Sequence, residues 1–258
     1  MLGFLYKTGM LLLLLSQVYA DSLTVVGDAY APDGDALLYR EFHYYSDDGM
    51  DHRVVYMTQD NIKMAEKSLN YRSGKSTPAV NHQAWVYPEK IQIVLDKDQL
   101  SLAYTDNDNE EDRATLDANW PLVIDAGFDN YVRENWSSLL NGAILEFYFP
   151  APTRMSLVNL RIKQKLCSAE QPDDVCFSIN SSNWFIRLLL DPIELSYDKN
   201  TRQLSRFRGL GNMMDKKGKS LVVDIRYRYQ SLCVDPDKCT RGQTPAKITI
   251  VIPAKAGI

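Results

Sequence analysis

Apolar and polar residues alternate most strictly near the end of the chain. Leu221, Val223, Ile225, Tyr227 and Tyr229 stand at every second position, with Val222, Asp224, Arg226, Arg228 and Gln230 between them. A period of two sends successive side chains to opposite faces, so this segment predicts a strand with one apolar and one wet face. Ile91, Ile93 and Leu95 alternate in the same way, residues 96–99 turn, and Leu100, Leu102 and Tyr104 alternate again. That pattern predicts a hairpin. Residues 36–45 and 53–59 are aromatic and β-branched runs around the polar stretch 46–51, a hairpin with a longer loop. Residues 62–71 continue either as a third strand or, on their Lys, Met, Ala and Glu content, as a short helix; Gly74 and Pro78 then break the pattern. Further strands are predicted over 144–149, 156–165, 176–179, 184–190, 193–197 and 202–208.

The period changes in the middle of the chain. Phe128, Tyr131, Val132, Trp136, Leu139 and Leu140 recur at spacings of three and four, with Asp129, Arg133, Glu134 and Ser137 on or near the opposite side. This predicts one amphipathic helix over 125–140, with Asp125 as N-cap, Asn141-Gly142 as its stop and Trp136 at the centre of its apolar stripe. A single such helix among many strands must lay that stripe on a sheet. The predicted class is therefore α+β, mainly antiparallel β: a curved sheet or half-barrel packed on the helix. No repeat or low-complexity linker divides residues 21–250, which read as one domain. Residues 251–258 carry no pairing pattern and are expected to form an unstructured tail.

Composition agrees with a strand-rich chain, since 15 Tyr, 8 Phe and 4 Trp favour pleated surfaces. The N-terminus adds a destination. Lys7, the apolar run from Met10 to Leu15, and Val18-Tyr19-Ala20 have the layout of a secretory signal over residues 1–20. The run is shorter than the roughly 20 residues a membrane-spanning helix needs. The expectation is a soluble mature chain in the periplasm of a Gram-negative bacterium, with no transmembrane segment. The net charge of −4 excludes the basic balance of a dedicated nucleic-acid binder.

Export changes the reading of the cysteines. All four, Cys167, Cys176, Cys233 and Cys239, lie late in the chain, and four cysteines allow three pairings. The local pairs Cys167–Cys176 and Cys233–Cys239 are favoured, because each brackets a polar segment that reads as a loop. Their spacings are poor for the short knuckles of a zinc site.

Catalytic and metal motifs are sparse. Asp106, Asp108, Glu110 and Asp112 superficially suggest a calcium loop, but Glu111 stands where an EF-hand needs Gly and Asp117 where it needs Glu. A solvated acidic loop fits better. His43 and His52 flank the first hairpin and can approach each other across it, yet neither they nor His82 belong to a metal-binding spacing. Nucleophile motifs are absent, and Gly209-Leu210-Gly211-Asn212 reads as a strand connection with no following helix. No metal or cofactor is expected. Asp125 and Asp129 sit where capping and the helix dipole favour acids anyway.

Charge is uneven along the chain. Residues 96–134 hold eleven acidic and three basic side chains, and residues 201–241 hold ten basic and four acidic. Arg226 and Arg228 share the wet face of the last strand, with Arg206 and Arg208 on the strand before it. Together they form a candidate patch for phosphate head groups, weighed against arginines that merely coat a sheet.

Two resemblances bear on fold. Leu38-Tyr39-Arg40-Glu41-x-His43, then Asp125-Ala126-Gly127-Phe128-Asp129-x-Tyr131-Val132 leading to Trp136 and Leu140, resemble an uncharacterised family of exported proteobacterial proteins. That likeness implies export and a single domain, and transfers no catalytic residue. Tyr197-Asp198 with Leu204, residues 214–219 and residues 222–229 are similar to the closing strands of lipoprotein-carrier half-barrels, which imply a hollow for acyl chains. The function expected is a non-enzymatic envelope protein binding a hydrophobic or lipidic ligand, or an envelope partner. Two alternatives stand beside it. One is a hydrolase in which Asp125, Asp129, His43 and His52 converge in a cleft. The other is a purely structural interaction protein.

Overall fold

The computed structural model describes residues 22–118, 120–169, 171–182 and 192–230. The leader expected over 1–20, the strand expected over 184–190, the expected pair Cys233–Cys239 and the expected tail 251–258 lie outside the described residues. Within them the chain forms eight strands: β1 (Ser22–Tyr30), β2 (Leu37–Tyr45), β3 (Asp51–Met57), β4 (Lys63–Asn70), β5 (Ala79–Ala84), β6 (Glu89–Asp96), β7 (Gln99–Thr105) and β8 (Glu111–Asp117). Two short helices follow, α1 (Gly127–Glu134) and α2 (Trp136–Leu140). The chain then returns through β9 (Leu145–Ala151), a 3-10 turn (Pro152–Arg154), β10 (Ser156–Lys165), β11 (Asp174–Ser181), β12 (Ile193–Asp198), β13 (Leu204–Met214) and β14 (Ser220–Tyr229).

All of these strands belong to one antiparallel sheet, ordered β8-β7-β6-β5-β4-β3-β2-β1-β14-β13-β12-β11-β10-β9. The first and last strands pair in its middle, with Val25 opposite Tyr229 and Tyr30 opposite Asp224. The sheet is two meanders joined along that seam, curled until the 3-10 turn after β9 touches β7. The two edges stay apart. Tyr148 of β9 spends its outward N–H and C=O on Pro121 and Val123, and Pro150 lacks a donor. The β8 edge carries Glu111, Asp112, Arg113 and Asp117. Proline, a covering segment and charge are the usual ways to block further strand addition.

Several elements differ from the sequence expectation. Residues 63–70 settle as strand β4, not a helix, because Ala65, Lys67 and Leu69 alternate inward beside β3 and β5. β1, β5 and β8 were not anticipated, and β8 begins inside the acidic stretch read as a loop. Gly209 to Asn212 lie within β13, where the register shifts between Leu210 and Met214, and not in a connection. The helix is two pieces broken at Asn135, and Ala126, not Asp125, precedes the first. Asp125 instead takes a positive φ of 45° and points its carboxylate to Lys67. Gly127 explains the abrupt start, since a Cβ there would sit 2.3 Å from the Ser76 carbonyl oxygen.

Inward side chains form two clusters. One gathers Tyr39, Tyr56, Leu69, Leu100, Leu102, Ile124, Val223 and Ile225. The other places Val132, Trp136 and Leu139 of the helices among Phe147, Ile162, Phe177, Leu195 and Tyr197. Leu140, expected on the apolar stripe, is exposed. Phe207 and Tyr227 touch both clusters. Tyr227 reaches that position over Gly27, where a Cβ would lie 2.8 Å from its ring. Where the half-barrel likeness implied a hollow, the described inward side chains pack into these two clusters.

Cys167 and Cys176 form a disulfide, with Cα atoms 5.2 Å apart. Such bonds persist in oxidising compartments. Closing this short loop is worth roughly 2–3 kcal/mol on the chain-entropy model. Reduction should therefore lower the melting temperature without abolishing the fold, because neither cysteine belongs to the first cluster. Calorimetry with and without reductant checks this; complete unfolding at room temperature in reductant would contradict it.

Candidate functional site

The four arginines of the candidate patch share the outer face of β13 and β14, and Arg206 stands directly opposite Arg226. Like charges in register repel. Asp224 resolves the conflict: Arg206 donates Nε and Nη2 to its two oxygens at 2.6 and 2.7 Å, and Arg226 Nη2 lies 3.3 Å away. One strand further, Asp28 accepts from Arg228 at 2.6 Å and from Arg40 at 3.0 Å. Arg208 reaches the Pro32 carbonyl, and Arg226 lies over the Tyr30 ring, 4.6 Å from its centre. The result is a ladder of alternating charge, anchored on two buried carboxylates. Arg206 is largely buried, whereas Arg208, Arg226 and Arg228 are exposed; Arg208 lies 3.6 Å from Asp33 and Arg226 3.5 Å from Asp35, both acids on the surface. Beside the ladder, Gln171, Ser205, Arg206 and Arg226 line a cleft of about 390 Å³. A second outer-face cleft of about 460 Å³ includes Arg53, Ser68, Asn81 and Gln92.

The histidines have a different setting. Tyr39, Glu41, His43 and Tyr45 alternate on the inner face of β2, beside His52 and Tyr56 of β3. His43 Nδ1 and His52 Nε2 are 2.9 Å apart, and His43 Nε2 lies 3.2 Å from Glu41 Oε2. The Tyr227 hydroxyl donates to the same carboxylate oxygen at 3.3 Å. His52 is stacked on Tyr45 at 4.0 Å, with Tyr71 parallel at 6.4 Å. Burial, then His43, then the Lys67 ammonium hold His52 well below the usual imidazole range. Burial likewise keeps the phenols of Tyr39, Tyr56 and Tyr227 far above theirs.

The residues of the hydrolase alternative are held in separate pairs: the two histidines contact each other, and each acid has a basic partner. Lys67 Nζ binds Asp125 Oδ2 at 2.7 Å and is itself buried. Asp129 pairs with Arg133, and burial raises its pKa above the ordinary carboxylate value. His43 and His52 meet, while the acids are engaged by Lys67 and Arg133. His82 lies 3.6 Å from Glu89 Oε1, both deeply buried, a pair the sequence did not suggest. Among the described residues no group of three or more His, Cys, Asp or Glu is placed to hold a metal ion.

No protein-family model matches the chain, and no curated protein matches it. Among solved structures, the chain is similar to a β-barrel-like protein of the domain of unknown function DUF1849 from Brucella abortus. The TM-score is 0.45 and the sequence identity 7%, over 81% of this chain and 96% of that one. The chain itself is a mainly antiparallel β protein built on one open curled sheet, and among the described residues no helix is long and apolar enough to cross a membrane.

Proposed function

We propose that this chain is an exported, non-enzymatic envelope protein of a Gram-negative bacterium that binds an anionic lipid, or an envelope partner of the same charge, through the outer face of β13 and β14. The observation that carries the reading is the row of exposed guanidinium groups of Arg208, Arg226 and Arg228 beside the Gln171–Arg226 cleft, held from within by Asp28 and Asp224 and flanked by the exposed Asp33 and Asp35. The leader-like residues 1–20 and the Cys167–Cys176 bond support export.

Co-sedimentation with anionic and zwitterionic vesicles at low and high salt tests the reading. Binding to the anionic vesicles should weaken with salt, since exposed charges are screened. Replacing Arg208 and Arg228 by Gln should cost about 1 kcal/mol per side chain. A wild-type protein that ignores anionic vesicles at low salt would remove this proposal. The hydrolase alternative draws its support from the His43–His52 contact, beside which stand the phenols of Tyr45 and, through Glu41, Tyr227.

A further inference from the structure

The two edges of the sheet are finished differently. β9 is met at Tyr148 by segment 121–123, which takes up its outward backbone groups there. β8 ends the sheet on the other side, and its register with β7 settles which of its backbone groups are free. Ala118 N–H donates to the Asp98 carbonyl and Asp106 N–H to that of Glu110, and both pairs continue the β7–β8 register. Hydrogen-bonded pairs recur at every second residue of an antiparallel ladder. The ladder therefore uses Asp112, Ala114 and Leu116, and turns the N–H and C=O of Glu111, Arg113, Thr115 and Asp117 away from β7. Among the described residues these outward groups face no further strand.

The side chains of those four residues are exposed on the outer face, while Ala114 and Leu116 are half-buried on the inner one, Leu116 against the first core cluster. Charge on an edge turns most strands away. A second copy of β8 is judged by what each register sets opposite what. Free groups face free groups when the two antiparallel copies are related by a two-fold axis through a residue. An axis at Asp112 sets that carboxylate against itself, and one at Arg113 sets guanidinium against guanidinium. An axis at Ala114 opposes Glu111 to Asp117 twice. An axis at Leu116 leaves Arg113 beyond the end of the partner strand. An axis at Thr115 opposes Arg113 to Asp117 twice, Thr115 to itself, and Ala114 to Leu116 on the inner face. Opposite charges directly across a ladder stabilise it and like charges destabilise it. Only the last register is complementary on both faces. Arg113 already touches Glu111 at 2.6 Å, and Gln99 donates to Asp117 Oδ1 at 2.7 Å. The guanidinium has donors to spare, and the carboxylate a second oxygen.

We propose that β8 is a self-pairing edge: two copies of this chain join β8 to β8, antiparallel about a two-fold axis through Thr115, and their sheets run on as one. The charges that refuse other strands select this one. The pairing uses the opposite part of the sheet from β13 and β14, and stands whether or not their outer face binds vesicles.

Edge pairing buries less than the roughly 1,200 Å² of a standard interface, so the dimer should form only at high protein concentration. Sedimentation equilibrium over a roughly hundredfold concentration range reads it. Arg113→Asp and Asp117→Arg should each weaken self-association about tenfold or more, since each turns two attractive pairs into two repulsive ones. An equal mixture of the two variants should associate like the wild type, because every charge pair across the seam is then opposite again. Both positions are exposed, so the fold should survive, and circular dichroism checks that. The register has its own readout. Thr115→Cys should form a disulfide between copies on oxidation, with Cα atoms about 5.5 Å apart. Arg113→Cys, roughly 14 Å from its own copy, should not. A wild type that stays monomeric throughout, charge reversals without effect, a mixture no stronger than its components, or a disulfide through Arg113→Cys rather than Thr115→Cys would each overturn the pairing.

Discussion

Replacing Trp136 with Ala should lower the unfolding free energy by about 3–5 kcal/mol, the cost of emptying a buried aromatic site. The ring stands edge-on to Phe177 and Tyr197, at 5.5 and 5.7 Å, and Arg202 lies over its face. The consequence exceeds one side chain because of where the residue sits. α2 is five residues long, far below the length at which a helix persists on its own propensity. Trp136 and Leu139 are its two buried residues, so losing the first leaves little to hold it on the sheet. Urea denaturation followed by circular dichroism measures the change. A loss under about 1 kcal/mol would mean that the helical segment is held from elsewhere.

The second large effect should come from Arg206. Its guanidinium grips Asp224, whose side chain is 3% exposed, on the face that alternation marks as wet. Arg206→Met removes the better of two partners and leaves a buried carboxylate leaning on Arg226 alone. Breaking such a pair from one side costs about 3 kcal/mol. Arg228→Gln, at a side chain 67% exposed, should change stability by less than about 1 kcal/mol. Pairing Arg206→Met with Asp224→Leu should restore most of the loss, because a buried ion pair is replaceable by apolar groups that fill the same space. Equal losses for Arg206→Met and Arg228→Gln would show that Asp224 does not depend on Arg206. Until that is measured, replacing all four arginines at once confounds binding with folding, which is why the vesicle test uses the two exposed ones.

The strands with one apolar face were legible because their partners lie on both sides and their outer residues meet water: β6, β7 and β14 declare themselves by period alone. β1 and β5 did not, since Gly27, Asp28 and Ala29, or Asn81, His82 and Gln83, owe their places to register against neighbours rather than to any local preference. The break at Asn135 was equally hidden, because the spacing of three and four continues across it. The arginine row was visible from alternation, but the acids that answer it were not. Asp28 and Asp224 are separated by 196 residues in sequence (224 − 28) and meet the same row only through the β1–β14 pairing. The closeness of His43 and His52 follows from the hairpin, whereas the stacking of His52 on Tyr45 needs coordinates.

The seam between the first and last strands also sets a timetable. Val25 pairs with Tyr229, so the loop that this contact closes is nearly the whole described chain. Closure entropy grows only logarithmically with length, but the contact has no local nucleus and must wait for the final strand to exist. Each meander can zip from its own hairpins, yet until β14 arrives β1 offers an open edge at the middle of the future sheet. A chain emerging N-terminus first therefore stays divided almost to its last strand. That delay leaves the nascent β1 edge open to strand addition, or to a binding chaperone, for the longest time.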